Sequence, residues 1–348
     1  MTRLTRAEMQ ERNRAKVLAA AREEFSERGF RDAKIDSIAD RAELTRGAVY
    51  SNFPGKRALY FAVLADDAER APRPAGPGRT PDAALGAFAR AWLARLPLAT
   101  DEQGPGMEFL PEILTDEPTR QAYAQLTRLD SILLGLALER LTATTARLVR
   151  VAETALTTLH GASRLSAAAP GFVEPFNVVS ACERLADLDL GDGWPPPHLP
   201  FIPPAHPFDE AWSPPPVVDA VTGEPVSLDG DGVVAVLGLH RLEAVEEAVR
   251  AVPYGETVTV ALVSGDPAEL GPLARLTVTE LCGCLRQAFP KGAWPTLRVV
   301  HDETGTVAAA AGLPAAGDTT ETAIRVRAGR IIARADTRGA CHAVASAT

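Results

Sequence analysis

Cysteine is scarce in this chain. Cys182, Cys282, Cys284 and Cys341 are the only four in 348 residues, and no C-x-x-C pair occurs. That excludes a disulfide-framed scaffold. The six histidines are scattered, so zinc-ligand spacing is absent as well. No run of 18 or more uninterrupted apolar residues is found, and the opening TRLTRAEMQERNRAK has no apolar leader segment. The expectation is a soluble, cytoplasmic protein without a membrane partner.

What is present is an asymmetry of charge. Net charge is -9, yet residues 1–60 hold 13 Lys+Arg against 9 Asp+Glu, leaving the rest of the chain strongly acidic. A basic end on an acidic protein marks the part that meets nucleic acid. Arg3, Arg6, Arg12, Arg14 and Lys16 give it a basic arm.

Residues 29–64 read as two short helices, one over Ile35 to Ala42 and one over Arg46 to Phe53, joined by the tight turn Glu43-Leu44. Such a unit offers its second helix to a major groove. Thr45 is placed to N-cap that helix, which puts Arg46, Gly47 and Ala48 in its first turn. Arg46 suits a guanine edge or a phosphate, Tyr50 a backbone contact, and Ser51 and Asn52 extend the polar face. Lys56 opens the next helix, where its charge and the free N–H groups favour a phosphate. A first helix at 11–28 ends at Gly29, and a fourth runs from Arg57 to Arg70.

The stretch TRGAVYSNFPGKRALY, preceded by GF and IADRA, resembles the DNA-binding domain of TetR-family transcriptional regulators over about residues 10–65. Two departures stand out. Ala33 takes the place of a capping, phosphate-contacting threonine, with Lys34 beside it to recover the contact, and Glu43 replaces a turn glycine. The resemblance implies a homodimer binding double-stranded operator DNA and responding to a small-molecule effector of unknown identity.

From 71 to 190 the pattern is helical, with candidates at 82–96, 106–115, 117–139, 142–168 and 173–189 and no strand signal. The resemblance implies that the last two helices pair two subunits. Candidates for an effector pocket between the helices are Trp92, Met107, Phe109, Leu110, Tyr123, Leu126, Leu133 and His160. Ten prolines among residues 191–216 read as a semi-rigid linker.

Beyond the linker the period changes. Val233 to Leu239, Thr257 to Val263 and Leu297 to Val300 read as strands. Helices are expected at 243–252, 270–288 and 305–312, and TAIRVRAGRIIARAD reads as a closing hairpin turning near Ala328-Gly329. Over roughly 213–336 this order is similar to the thioredoxin-like fold in its peroxiredoxin-related branch. The resemblance places a reactive cysteine just after the first central strand, where a helix N-terminus lowers the thiol pKa, but this chain has Leu239-His240-Arg241-Leu242 there. A proline that normally faces that thiol is replaced near Thr320.

The reading is therefore a multidomain protein: a helix-turn-helix domain at 1–70, a helical regulatory and dimerisation domain at 71–190, a linker at 191–216 and an α/β thioredoxin-like domain at 217–348. Its expected function is that of a ligand-responsive repressor, not an enzyme, with no cofactor or metal. Two other classes compete. One is a redox-sensing regulator or thiol-dependent enzyme working through the four cysteines, and the other a ligand-binding adaptor that has lost operator specificity.

Overall fold

The computed structural model describes residues 5–70, 76–95, 112–113, 115–143, 145–194, 204–253 and 255–347. Most of the helix expected at 106–115 lies outside them, as do Met107, Phe109 and Leu110.

Four helices form the N-terminal unit: α1 (Arg6–Asp32), α2 (Ile35–Arg41), α3 (Arg46–Tyr50) and α4 (Lys56–Arg70). α1 opens with a capping box between Thr5 and Glu8 and bends at Gly29, whose φ of 70° only glycine adopts without strain. The bend turns Phe30 back onto Phe25 and Tyr60 of α4, with ring centroids 6.1 and 4.9 Å away. These rings seat α4 against the helix-turn-helix.

α5 (Pro81–Leu93), α6 (Glu117–Thr142), α7 (Val149–Ala168) and α8 (Pro175–Leu185) follow. α6 and α7 approach closely at Gly135, where a Cβ would stand 2.8 Å from the Val149 backbone. Leu126, Leu129, Leu133, Leu156 and Leu159 are all fully buried between these helices.

The C-terminal part is a six-stranded mixed sheet in the order β1-β8-β7-β4-β5-β6. Its strands are β1 (His206–Ala211), β4 (Gly232–Gly238), β5 (Thr257–Val263), β6 (Arg298–His301), β7 (Glu321–Arg327) and β8 (Arg330–Asp336), with β2 (Val217–Asp219) and β3 (Glu224–Val226) as a separate hairpin. β4, β5 and β6 are parallel, while β7 and β8 close the sheet antiparallel. Ala328 and Gly329 both take positive φ in the β7–β8 turn, the geometry a two-residue hairpin requires. The helices are α9 (Val245–Ala251), α10 (Pro267–Ala288), α11 (Thr306–Ala310) and α12 (Ala340–Ala345).

Residues 206–211, read from the sequence as part of a proline spacer, are instead the edge strand β1 on β8. Pro207 is compatible because an edge strand leaves one row of N–H groups unused. Trp212 follows, buried, and donates its indole N–H to the Leu228 carbonyl at 2.8 Å.

Alternation along β4 sends Val233, Ala235 and Leu237 to one face of the sheet and Val234 and Val236 to the other. The second face has its own apolar layer, with α11, Trp212 and Ile331. The first belongs to an apolar core that runs without interruption from Val17 of α1 to Ala345 of α12. α10 makes this continuity. It is apolar nearly all round and packs on α4, α5 and α6.

Candidate functional site

The outward face of α3 is built by what surrounds it. Its start is fixed by Thr45, whose hydroxyl accepts the Ala48 N–H at 3.2 Å. Its inner anchors are Val49 and, just beyond the helix, Phe53, both buried, with the Arg14 guanidinium 4.6 Å over the Phe53 ring. Thr45, Arg46, Gly47, Tyr50 and Ser51 are left exposed. Gly47 has no internal reason to be glycine, since a Cβ there would meet only the Thr45 hydroxyl at 3.8 Å.

Arg46 is held ready rather than loose. Its guanidinium stands 5.5 Å over the Tyr50 ring and 3.5 Å from Asp36 of α2. Ser51 and Asn52, expected to extend the polar face, turn back instead: Ser51 Oγ and Asn52 Nδ2 both donate to the Ala48 carbonyl, at 2.9 and 2.8 Å. They satisfy the end of α3. Lys56 is also engaged, with Nζ donating to the carbonyls of Arg31 and Ala33 at 3.0 and 3.2 Å and lying 4.6 Å over the Phe30 ring. Lys34 remains exposed ahead of α2.

The two departures in this unit have physical answers. Glu43 takes the left-handed φ of 56° that the turn demands, at a cost of about 1 kcal/mol or more. At the start of α2 no side chain takes over the threonine's cap, and the entry to the helix is fixed instead by Glu24 of α1. Its fully buried carboxylate accepts the Lys34 N–H at 3.3 Å and pairs with Arg28 and Arg41 at 3.3 and 3.2 Å. Sequence reasoning missed Glu24 because it sits on the helix behind the motif, and only the fold brings it to the start of α2.

A groove of about 580 Å³ lies between α6 and α7, lined by Tyr123, Thr127, Ser131, Leu156, His160 and Arg164 among others. Tyr123 and His160 meet edge to face at 6.4 Å, and Trp92 lies 4.9 Å from the His160 ring. Trp92 spends its N–H on Ser163 Oγ at 3.0 Å. His160 Nε2 is buried and has no hydrogen-bond partner among the described residues, and burial pushes its pKa down to about 4. Burial raises that of the Tyr123 phenol. Leu126 and Leu133 are core side chains with no access to the groove. Thr127 and Ser131 escaped notice, although they follow Tyr123 at four-residue spacing on one helix face.

Leu239 to Leu242, directly after the C-terminal end of β4, include no cysteine; the thiol that senses Arg241 and Glu321 there is the fully buried Cys341. At that end His240 Nε2 donates to the Pro118 carbonyl of α6, 3.1 Å away, and the Glu243 N–H donates to Gln125 of α6 at 2.9 Å. All four cysteines are free and buried. Burial raises the thiol pKa of each, Cys182 to about 11.

Residues 17–63 match the family described as bacterial regulatory proteins, tetR family. The transcriptional regulator SrpR of Pseudomonas putida is 48% identical over 65 residues, which is 19% of this chain and 30% of that protein. TtgW, an uncharacterized HTH-type transcriptional regulator also from Pseudomonas putida, is likewise 48% identical over 65 residues and is covered to 48%. The chain thus spans less than half the length of these curated relatives. A TetR transcriptional regulator from Rhodococcus sp. RHA1 has a crystal structure that aligns with 52% of this chain and 95% of its own, at 19% identity and a TM-score of 0.36. The N-terminal unit is a TetR-family helix-turn-helix domain.

Proposed function

We propose that the protein is a sequence-specific DNA-binding transcriptional regulator, a homodimeric repressor released by a small effector. The observation that carries this is the face of α3: a capped helix, anchored by Val49 and Phe53, presents Thr45, Arg46, a bare Gly47 and Tyr50 outward. A duplex meets base edges through the first turn of such a helix. Lys34 and the basic arm supply phosphate contacts, as does the remaining N–H capacity of Lys56. Two copies, paired through α7 and α8, read two half-sites about 34 Å apart, and a change in their separation weakens both together.

The effector site is the groove between α6 and α7. The hydroxyls of Thr127 and Ser131, which already donate to carbonyls four residues back, leave acceptors on the groove wall beside the neutral His160 ring. Arg164, exposed at its edge, adds a cation. A ligand with a donor-bearing or anionic head and an apolar body fits this set.

The domain limits follow the helices and sheet: 1–70, 71–190 and the α/β part from 217, to which β1 is attached. That part is proposed to be thioredoxin-like without catalysis. The order β5-β4-β7-β8, with β4 parallel to β5 and the hairpin antiparallel, supports the fold, and the absence of a cysteine directly after β4 supports the silence.

Selection of duplexes from a random pool by the full chain tests the reading. A palindromic consensus whose binding weakens steeply between 50 and 200 mM salt, roughly a thousandfold for six phosphate contacts, is expected. Failure to enrich any sequence overturns it.

A further inference from the structure

α4 has no free side over its first turns. Ala58, Leu59, Tyr60, Phe61, Ala62 and Val63 are all buried, a pattern that a helix shows only when it is covered from every direction. α1 covers one side, through Phe25, Phe30 and Tyr60. α10 of the α/β part lies along α4 and covers another. The helix that leaves the DNA-reading unit is therefore seated jointly by that unit and by the sheet domain.

The start of α4 is tied as well. Arg57 follows the Pro54-Gly55 turn by two residues, and its Nε donates to Glu269 Oε1 at 2.6 Å. Its Nη1 donates to Thr115 Oγ1 at 2.7 Å and to Asp116. Asp116 in turn caps α6 by accepting the Thr119 N–H at 2.9 Å. Glu269 sits in the first turn of α10. One guanidinium thus joins the N-termini of α4, α6 and α10, where the acidic groups also suit the helix dipoles. At the far end of the same face Arg95 pairs with Glu280, and Arg140 donates to the Gly292 carbonyl at 3.1 Å. Arg250 grips Glu139 of α6 twice, at 2.6 and 2.8 Å.

We infer that the α/β domain is an internal clamp on α4, and that the Arg57–Glu269–Asp116 joint carries any change in that domain to the helix-turn-helix unit. This assigns the sheet domain a function that needs no catalysis: it is the bound partner of its own chain. The rim at the C-terminal ends of its parallel strands, where open α/β sheets usually hold ligands, is occupied by α6 through His240 and Glu243. A molecule that took this rim would have to displace α6 and would loosen the joint.

The clamp itself does not depend on the proposed reading of α3; only its consequence for DNA does. Amide hydrogen exchange on the full chain separates the two. Glu269→Gln keeps shape and removes charge, and it is expected to speed exchange roughly tenfold in residues 56–65 and 35–50 while leaving α8 unchanged. Glu269→Asp is expected to restore most of the protection. Glu280→Gln tests the other end of the face and is expected to act in the same direction, and Glu224→Gln, in an exposed pair of the same domain, should do nothing. Faster exchange confined to α10, or uniform acceleration that includes α8, overturns the clamp. A parallel shift of threefold or more in affinity for a selected duplex extends the effect to DNA. An exchange response with no duplex binding by any variant retains the clamp and sinks the DNA reading instead.

Discussion

Arg57 and Glu269 meet Nε to Oε1 at 2.6 Å although 212 residues of chain separate them. Both side chains keep only 22% of their accessible surface. A pair this sheltered is screened less by salt than a surface bridge, and removing one member strands the other charge. The link therefore constrains geometry at the point where the helix-turn-helix unit joins the rest of the molecule. Asp116 shares the same guanidinium. Burial opposes its charge, but the Thr119 bonds and Arg57 together hold its carboxyl down to about 2, so Asp116 stays ionised well into the acid range.

Replacing Arg46 by Ala is expected to relax base preference at one position of each half-site and cost about 1–3 kcal/mol of binding to a selected duplex. Thr45→Ala removes the cap instead, costing about 1 kcal/mol of local helix stability. It should weaken matched and mismatched duplexes alike. Binding isotherms on matched and single-mismatch duplexes distinguish the two, and wild-type affinity and preference in both variants would remove α3 from the interface.

α3 was legible in the sequence because its cap, inner anchor and outer face are local properties. Thr45, Val49 and Arg46 fix them within little more than one turn, and one-dimensional patterning reports such features well. Strands such as β5 (Thr257–Val263) were legible for the same reason. β1 was hidden because its prolines read as a spacer, while its pairing is decided by β8, more than a hundred residues away. Glu24, the tie of Arg57 and the inward hydrogen bonds of Lys56 escaped for a related reason. Each acts through a partner that only the tertiary fold supplies, and a charged side chain carries no sign in the sequence of whether it faces water or a buried carbonyl.

The proposed pairing of two copies through α7 and α8 cannot be probed at the inward leucines of α7. Leu156 and Leu159 are buried inside the chain, so a charge at either would disrupt the fold rather than an interface. The exposed apolar side chains near the α7–α8 connection are Leu165, Phe172 and Phe176, with 44%, 72% and 80% of their surface free. Phe176→Glu combined with Phe172→Ser is expected to give a monomer with unchanged helix content. Light scattering and circular dichroism together check this, and an undiminished dimer would place the interface elsewhere.

The thiols should be inert in the folded protein. Burial raises the pKa of every one, and the thiolate is the reactive form. Cys282, Cys284 and Cys341 replaced together by Ala or Ser are expected to leave duplex affinity equal under oxidising and reducing conditions, and a separate Cys182→Ala should do the same. Titration with a thiol reagent should show reaction only on unfolding. Rapid reaction of one thiol, with a loss of DNA binding that its replacement abolishes, would restore the redox-sensing alternative.

Two histidines set an acid limit on stability. Burial pushes His160 and His301 down to about 4, with Arg275 adding to the effect on His301 and Glu303 opposing it. In the unfolded chain each titrates near 6.5, so between about 6.5 and 4 the unfolded state binds the proton and the folded state does not. Their contribution is fully present above that range and is lost as pH falls through it. At pH 5 the loss amounts to about 2 kcal/mol for His301 and less for His160, which lines the groove. Burial raises the pKa of Asp130, which acts in the opposite direction, but it is common to wild type and variants and cancels in the difference. Denaturant unfolding at pH 7 and pH 5 is expected to show His301→Gln losing about 2 kcal/mol less than wild type over that interval. An effector seated against His160 whose contacts favour the neutral ring should leave the remaining slope intact and extend it to lower pH, because it keeps the folded state from taking up the proton. A His301→Gln slope identical to wild type would mean that the ring takes up its proton in the folded state.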